Sequence, residues 1–143
     1  MLKSLKTHFS TLYRKEDGAV AIEFTLLAPI LFALLFGIIC IGYAIGISHS
    51  IHQLATSAAR ASLEGITTAE RKALADTYLA NAGQYFPLLD ASAIDAVASV
   101  TEGDAAHISI QVSYALDASV LSIANGFLGL EMSDLSAGAY LAY

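Results

Sequence analysis

Lys15-Glu16-Asp17-Gly18-Ala19-Val20-Ala21-Ile22-Glu23-Phe24 carries the chain from charged to apolar sequence within a few residues. From Phe24 to Ile47 no residue is charged. At about 1.5 Å per helical residue that run is about 36 Å long, enough to cross a hydrocarbon core of about 30 Å with some tilt. The sequence holds no second run of this kind. With 143 residues and 56% hydrophobic composition, the chain has room for one membrane helix and one small domain, not for two globular domains.

Charge is sorted about the apolar run. Lys3, Lys6, Arg14 and Lys15 precede it, and basic residues beside a first span favour a cytoplasmic N-terminus. Beyond it, ten acidic residues face only Arg60, Arg71 and Lys72, giving the translocated part a charge of about −7. Such a surface argues against nucleic acid and anionic lipid headgroups as its partners. Cys40, the only cysteine, lies inside the run, so no intramolecular disulfide is possible and the thiol reads as a small apolar filler. A secretory signal cut after Ala44-Ile45-Gly46 is the competing reading of the segment. Against it stand an apolar run longer than the 7 to 15 residues or so of a signal h-region and a glutamate at its entrance.

A glycine between a charged leader and a membrane-length helix, with a carboxylate five positions later, is the plan of a type IV prepilin. Gly18-Ala19-Val20-Ala21-Ile22-Glu23-Phe24-Thr25-Leu26-Leu27-Ala28-Pro29 resembles the start of the TadE-like family, the minor pilins or pseudopilins of tight-adherence (Tad, or Flp) pili. The specific part of the resemblance covers about Gly18 to Gly37, and the rest agrees in length and outline. It implies a cytoplasmic leader over residues 1–18, cut by a prepilin peptidase between Gly18 and Ala19. A transmembrane helix with its periplasmic extension would follow over 19–63, and a small periplasmic head over 64–143. It further implies a single-pass protein of the bacterial inner membrane that assembles or initiates Tad pili for adherence and biofilm formation. Its partners would be the peptidase, the inner-membrane assembly platform, membrane lipid, the major Flp pilin and a sister pseudopilin.

Several residues have physical reasons to matter under this reading. Gly18 lacks Cβ and lets a protease approach the backbone closely. Its bland alternative is a glycine that breaks the helix between leader and membrane. After cleavage Glu23 is the fifth residue, about 6 Å along the helix from the Ala19 ammonium, so a staggered neighbour's ammonium is the better partner for a carboxylate that lipid penalises. Glu23 and Phe24 are the expected assembly residues, with Pro29, which removes a donor to the Thr25 carbonyl and softens the helix. The Thr25 hydroxyl or a neighbouring helix is available to that carbonyl. Gly42 and Gly46 form a Gly-x-x-x-Gly pair and Ala33 with Gly37 a second small-x-x-x-small pair, spacings that allow close helix packing.

Helical spacing of Ile51, Leu54, Ala55, Ala58 and Ser62 extends the first helix to about Leu63, and Gly65 then stops it. Thr67 and Glu70 have capping-box spacing and open a second helix to about Gln84, with Ala69, Ala73, Leu74, Tyr78 and Leu79 for burial. Ala93–Thr101 is ambiguous, since Ile94, Val97 and Val100 are three apart. Glu102-Gly103-Asp104 reads as a turn. Ile108, Ile110, Val112 and Tyr114 alternate with polar residues as a strand wet on one side. Val120, Leu121, Ile123, Phe127, Leu128 and Leu130 suit a short helix or packed crossover, and Ala137–Tyr143 a last strand.

The expected fold is therefore α+β: a long N-terminal transmembrane helix continuing as a spine, and a small head of one helix packed on an antiparallel sheet. His49 and His52 share a helix face without a third ligand of clear spacing, and no nucleophile or acid can be assigned to His107. The expectation is a structural component with no enzymatic activity, cofactor or metal. An uncleaved membrane-anchored binding module and a small hydrolase released by signal peptidase are the alternatives.

Overall fold

The computed structural model describes residues 16–103, 105–116, 121, 122, 126 and 134–143. Helix α1 spans Glu16–Ser62, α2 Thr68–Ala80 and α3 Ala82–Tyr85; a 3-10 turn at Ala91–Ala93 leads into β1 Ile94–Thr101, followed by β2 His107–Tyr114 and β3 Leu135–Ala142. The three strands form one antiparallel sheet in the order β1-β2-β3. By its contacts the chain divides into two compact units, Met1–Ile39 and Cys40–Tyr143. The architecture is the expected α+β one.

Within the second unit, the end of α1 supplies the centre of the core. Ile47, Ile51, Leu54, Ala55 and Ala58 are wholly buried at the three-four spacing of one helix face. They share a cluster with Ile108, Ile110, Val112 and Tyr114 of β2, the strand paired on both sides. The Ser62 hydroxyl, also fully buried, donates to the Ala59 carbonyl at 2.6 Å, so the last turn carries its one polar group inside at little cost.

The next helix starts where its caps are. The Thr67 hydroxyl accepts the Glu70 N–H at 3.3 Å, while the Glu70 carboxylate accepts the N–H groups of Thr67 and Ile66 at 3.1 and 3.0 Å. These bonds hold the Glu70 carboxyl below its ordinary pKa, the Thr67 amide contributing most. Gly65 is buried and could not be larger, because a Cβ there would stand 2.7 Å from the Arg71 amide nitrogen. Arg71 closes this corner: its Nε donates to the Gly65 carbonyl at 2.9 Å and its guanidinium lies 3.6 Å over the Tyr143 ring. Tyr143 in turn donates its N–H to the Ala106 carbonyl and its hydroxyl to the Thr101 carbonyl.

Some details depart from the sequence reading. Helix α2 stops at Ala80 because Asn81 turns its side-chain amide onto the Thr77 carbonyl at 2.8 Å. Ala75, not Ala69 or Ala73, is buried with Leu79, while Leu74 and Tyr78 are half-buried. Residues 94–101 are a strand whose inward side chains are Ile94, Ala96, Ala98 and Val100, leaving Val97 outside. Two inward alanines hid its alternation. Gly103 turns the hairpin with φ +112°, a conformation that suits glycine. Of the crossover residues, Leu121 is buried in a helical turn, whereas Val120, Ile123, Phe127, Leu128 and Leu130 lie outside the described residues, as does Asp104.

Two predictions follow from this core and this cap. A fragment beginning at Gly65 loses Ile47, Ile51 and Leu54, each worth about 1.5–3 kcal/mol of burial, a large share of a small domain's total of about 5–15 kcal/mol. It should show no cooperative thermal transition, while residues 40–143 in mild detergent should; a sharp transition in the shorter fragment would contradict the packing. Thr67→Ala should cost about 1 kcal/mol in denaturant unfolding. For Glu70, a folded pKa below the unfolded one means the carboxylate's stabilisation is complete above the unfolded value and fades as pH falls through the folded one. The stability gap between the wild type and Glu70→Gln should therefore be widest near neutrality and close on acidification; a gap independent of pH would refute the role of the charge.

Candidate functional site

The first unit presents one run of helix. It begins at Glu16, so Gly18 and Ala19 lie inside its first turns and are exposed; the space where a Gly18 side chain would sit is open. The described helix runs through Gly18 without a break. Four residues after Ala19 comes Glu23, also exposed, and among the described residues it forms no ion pair. Its neighbours are apolar and face outward: Ile22, Phe24, Leu26 and Leu27 are all more than half exposed. A soluble protein would bury such a surface.

Pro29 sits within the helix, which continues through it. The Thr25 hydroxyl donates to the Ala21 carbonyl at 2.7 Å, so it serves the preceding turn rather than the carbonyl that Pro29 leaves without a donor. That carbonyl keeps its acceptor capacity toward a neighbouring chain. Gly18–Ser62 is long and apolar enough to cross a membrane as a single-pass anchor.

The three glycines expected to pack helices are placed differently. Apart from adjacent residues and the helix's own backbone, nothing described lies within 4 Å of the Cβ position at Gly37 or Gly42, so each leaves a notch. Gly46 already serves the fold, since its Cβ position is 3.4 Å from the Leu88 side chain. Cys40, Tyr43 and Ala44 likewise lean on the core of the second unit. Of the described histidines, His49 and His52 are exposed, and His107 stacks on Tyr140 at 4.7 Å with its Nδ1 2.8 Å from the Ala105 carbonyl.

Two features escaped the sequence. The Arg71–Tyr143 stack joins residues distant in sequence, and the Tyr114 hydroxyl, 3.3 Å from the Asp90 amide, accepts its hydrogen across the head. No spacing rule connects such pairs; only the paired sheet brings them together.

No curated protein and no solved structure matches the chain. The family model described as TadE-like protein matches residues 18–60, from the exposed glycine to the last turn of α1, with Ala19, Glu23, Phe24 and Pro29 inside the matched segment. Over these residues, less than a third of its length, the chain is similar to the TadE-like family.

Proposed function

We propose that this chain is a minor pilin-like subunit of a Tad-type pilus, structural rather than catalytic, and that it enters assembly through residues 19–39. The supporting observation is the coincidence of the TadE-like match with a helix whose large side chains face outward from its first turns. The leader stays in the cytoplasm and the acidic head is periplasmic, consistent with the basic residues before the span. A prepilin peptidase cuts after Gly18, and the assembly platform, the major Flp pilin and a sister pseudopilin meet the anchor in the inner membrane.

The chemistry of assembly then centres on one charge pair. Cleavage creates an ammonium at Ala19, and each subunit carries the Glu23 carboxylate one helical turn on. Both are costly alone in hydrocarbon. A neighbour staggered along the membrane normal lets the carboxylate of one chain meet the ammonium of the next, so each subunit gains by joining. The notches at Gly37 and Gly42 allow close helix approach.

Intact-mass measurement with and without the peptidase tests the processing step. The mature protein should begin at Ala19, and an unchanged Met1 in both samples would leave an uncleaved membrane-anchored binding module as the reading. Glu23→Gln keeps the shape and loses the charge. It should still be cleaved yet crosslink poorly to the other pilins, because losing about 3 kcal/mol of pairing weakens association about a hundredfold. Normal piliation by Glu23→Gln would refute the assembly role.

A further inference from the structure

Among the described residues the sheet ends in two unpaired edges, and its hydrogen-bond phase says which groups stand on them. The Tyr143 N–H donates to the Ala106 carbonyl and the Ala115 N–H to the Ala93 carbonyl, each one step beyond the strand register. Bonds alternate along antiparallel pairs. The backbone groups of Ser136, Gly138, Tyr140 and Ala142 therefore point away from β2 on the β3 edge, and those of Ile94, Ala96, Ala98 and Val100 point away from it on the β1 edge. No described residue pairs with either row.

The β3 edge carries none of the usual protection, and the β1 edge only the single charge of Asp95. Strand β3 has no charge, no proline and no bulge, and its free row includes a glycine. A groove of about 310 Å³ spans β2 and β3, lined by His52, Gln111, Ser113, Ser136 and Gly138 among others. A second, of about 370 Å³, follows the start of β1 between α2 and Ile94–Ala96. The outer face is otherwise small or polar, yet it holds two large exposed apolar residues, one on each edge strand: Val97 at 62% and Tyr140 at 65% exposure.

We infer that β3 of one copy pairs in parallel with β1 of the next, extending the sheet head to tail from subunit to subunit. Orientation selects this pairing. Joining β3 to β3, or β1 to β1, in antiparallel fashion needs a two-fold axis normal to the sheet, which reverses residues 40–62 of α1 in the second copy. Copies anchored in one membrane keep that helix parallel. Both edge strands run antiparallel to β2 and so parallel to each other, so copies of equal orientation present β3 to β1 with matching direction. This step rests on the reading of Gly18–Ser62 as a membrane anchor.

The full-length register keeps every side chain on its own face. Ser136 falls beside Asp95 of the next copy, Gly138 beside Val97, Tyr140 beside Ser99 and Ala142 beside Thr101. Val97 then occupies the space over a glycine, with the Tyr140 ring on the diagonal, and the two exposed apolar groups cover each other. No like-charged pair arises, because β3 has no charged residue. Such a head-to-tail contact uses a different edge on each copy, so it propagates from copy to copy as a filament requires.

The test uses full-length protein in lipid vesicles, in a Cys40→Ser background, with Thr101→Cys and Ala142→Cys combined. Within one chain these positions flank His107, about 10 Å apart and beyond disulfide reach. Oxidation should give a ladder of dimers, trimers and longer species from the double variant and none from either single variant. Asp95→Cys with Ala142→Cys, out of register by about 20 Å, should give at least tenfold less. Val97→Lys, placed on the exposed face, should abolish the ladder without lowering the unfolding temperature. Dimers from a single variant, equal ladders from the mismatched pair, a ladder that survives Val97→Lys, or no crosslink in membrane-retained protein would each overturn the pairing. Release of the chain by alkaline carbonate would remove the anchor, and the parallel arrangement with it.

Discussion

One helix face organises the second unit: Ile47, Ile51, Leu54, Ala55 and Ala58 of α1 lie wholly buried in one cluster with the inner side chains of β2. Without it, three short strands and a helix of 13 residues would have little to bury. Alanines along that face keep the layers close, and the sheet contributes alanines too, at Ala96, Ala98 and Ala137. Closeness has a consequence for tolerance, since a site with small residues on both sides has no slack for a larger one. The same helix is apolar before Ile47, but there its side chains face outward. Composition alone does not distinguish these two halves; the presence of a covering sheet does.

That contrast explains what the sequence could and could not reveal. The membrane-length run, the capping box at Thr67 and Glu70, and the strict alternation of β2 are local signals, each decided within a few residues, and each is present in the fold. Strand β1 was ambiguous because its inward positions include Ala96 and Ala98, too weakly apolar to outweigh Val97, which points the other way. The burial of Ala75 over Ala73 depends on where α2 meets β1, a tertiary fact. For the candidate site, Gly18, Glu23 and Pro29 could be named from sequence because the change from charged to apolar residues is linear in the chain, and all three fall within the TadE-like match. The use of Gly46 against Leu88 was not, since that contact depends on a loop far along the chain.

The Arg71 corner shows how a few polar groups tie the loop just after α1 to the β1–β2 hairpin and to the C-terminal residue. Arg71 bonds the Gly65 carbonyl and stacks on Tyr143, while Thr68 donates to the Glu102 carboxylate at 2.6 Å. The loop after α1, the start of α2 and the β1–β2 hairpin are thereby joined. Ile66 nevertheless remains 89% exposed at the tip of this loop. Its amide is held by Glu70, so the loop is shaped by its caps and not by burial of its apolar residue.

Electrostatics favours the edges over the rest of the head surface as places of approach. About seven net negative charges repel any second head, but with a screening length of about 8 Å at physiological salt the repulsion depends on where the carboxylates stand. Two of the three cations beyond the apolar run are engaged internally: Lys72 pairs with Asp76 at 2.6 Å, and Arg71 is held by Gly65 and Tyr143. They are poorly placed to neutralise an incoming acidic surface. Strand β3 offers instead a row of backbone dipoles with no carboxylate on the strand itself. An uncharged edge is a liability in a free soluble protein, where lysine or proline would normally guard it. Under the proposed pairing that liability is put to use, because the free row of β3 meets the free row of β1 on the next copy.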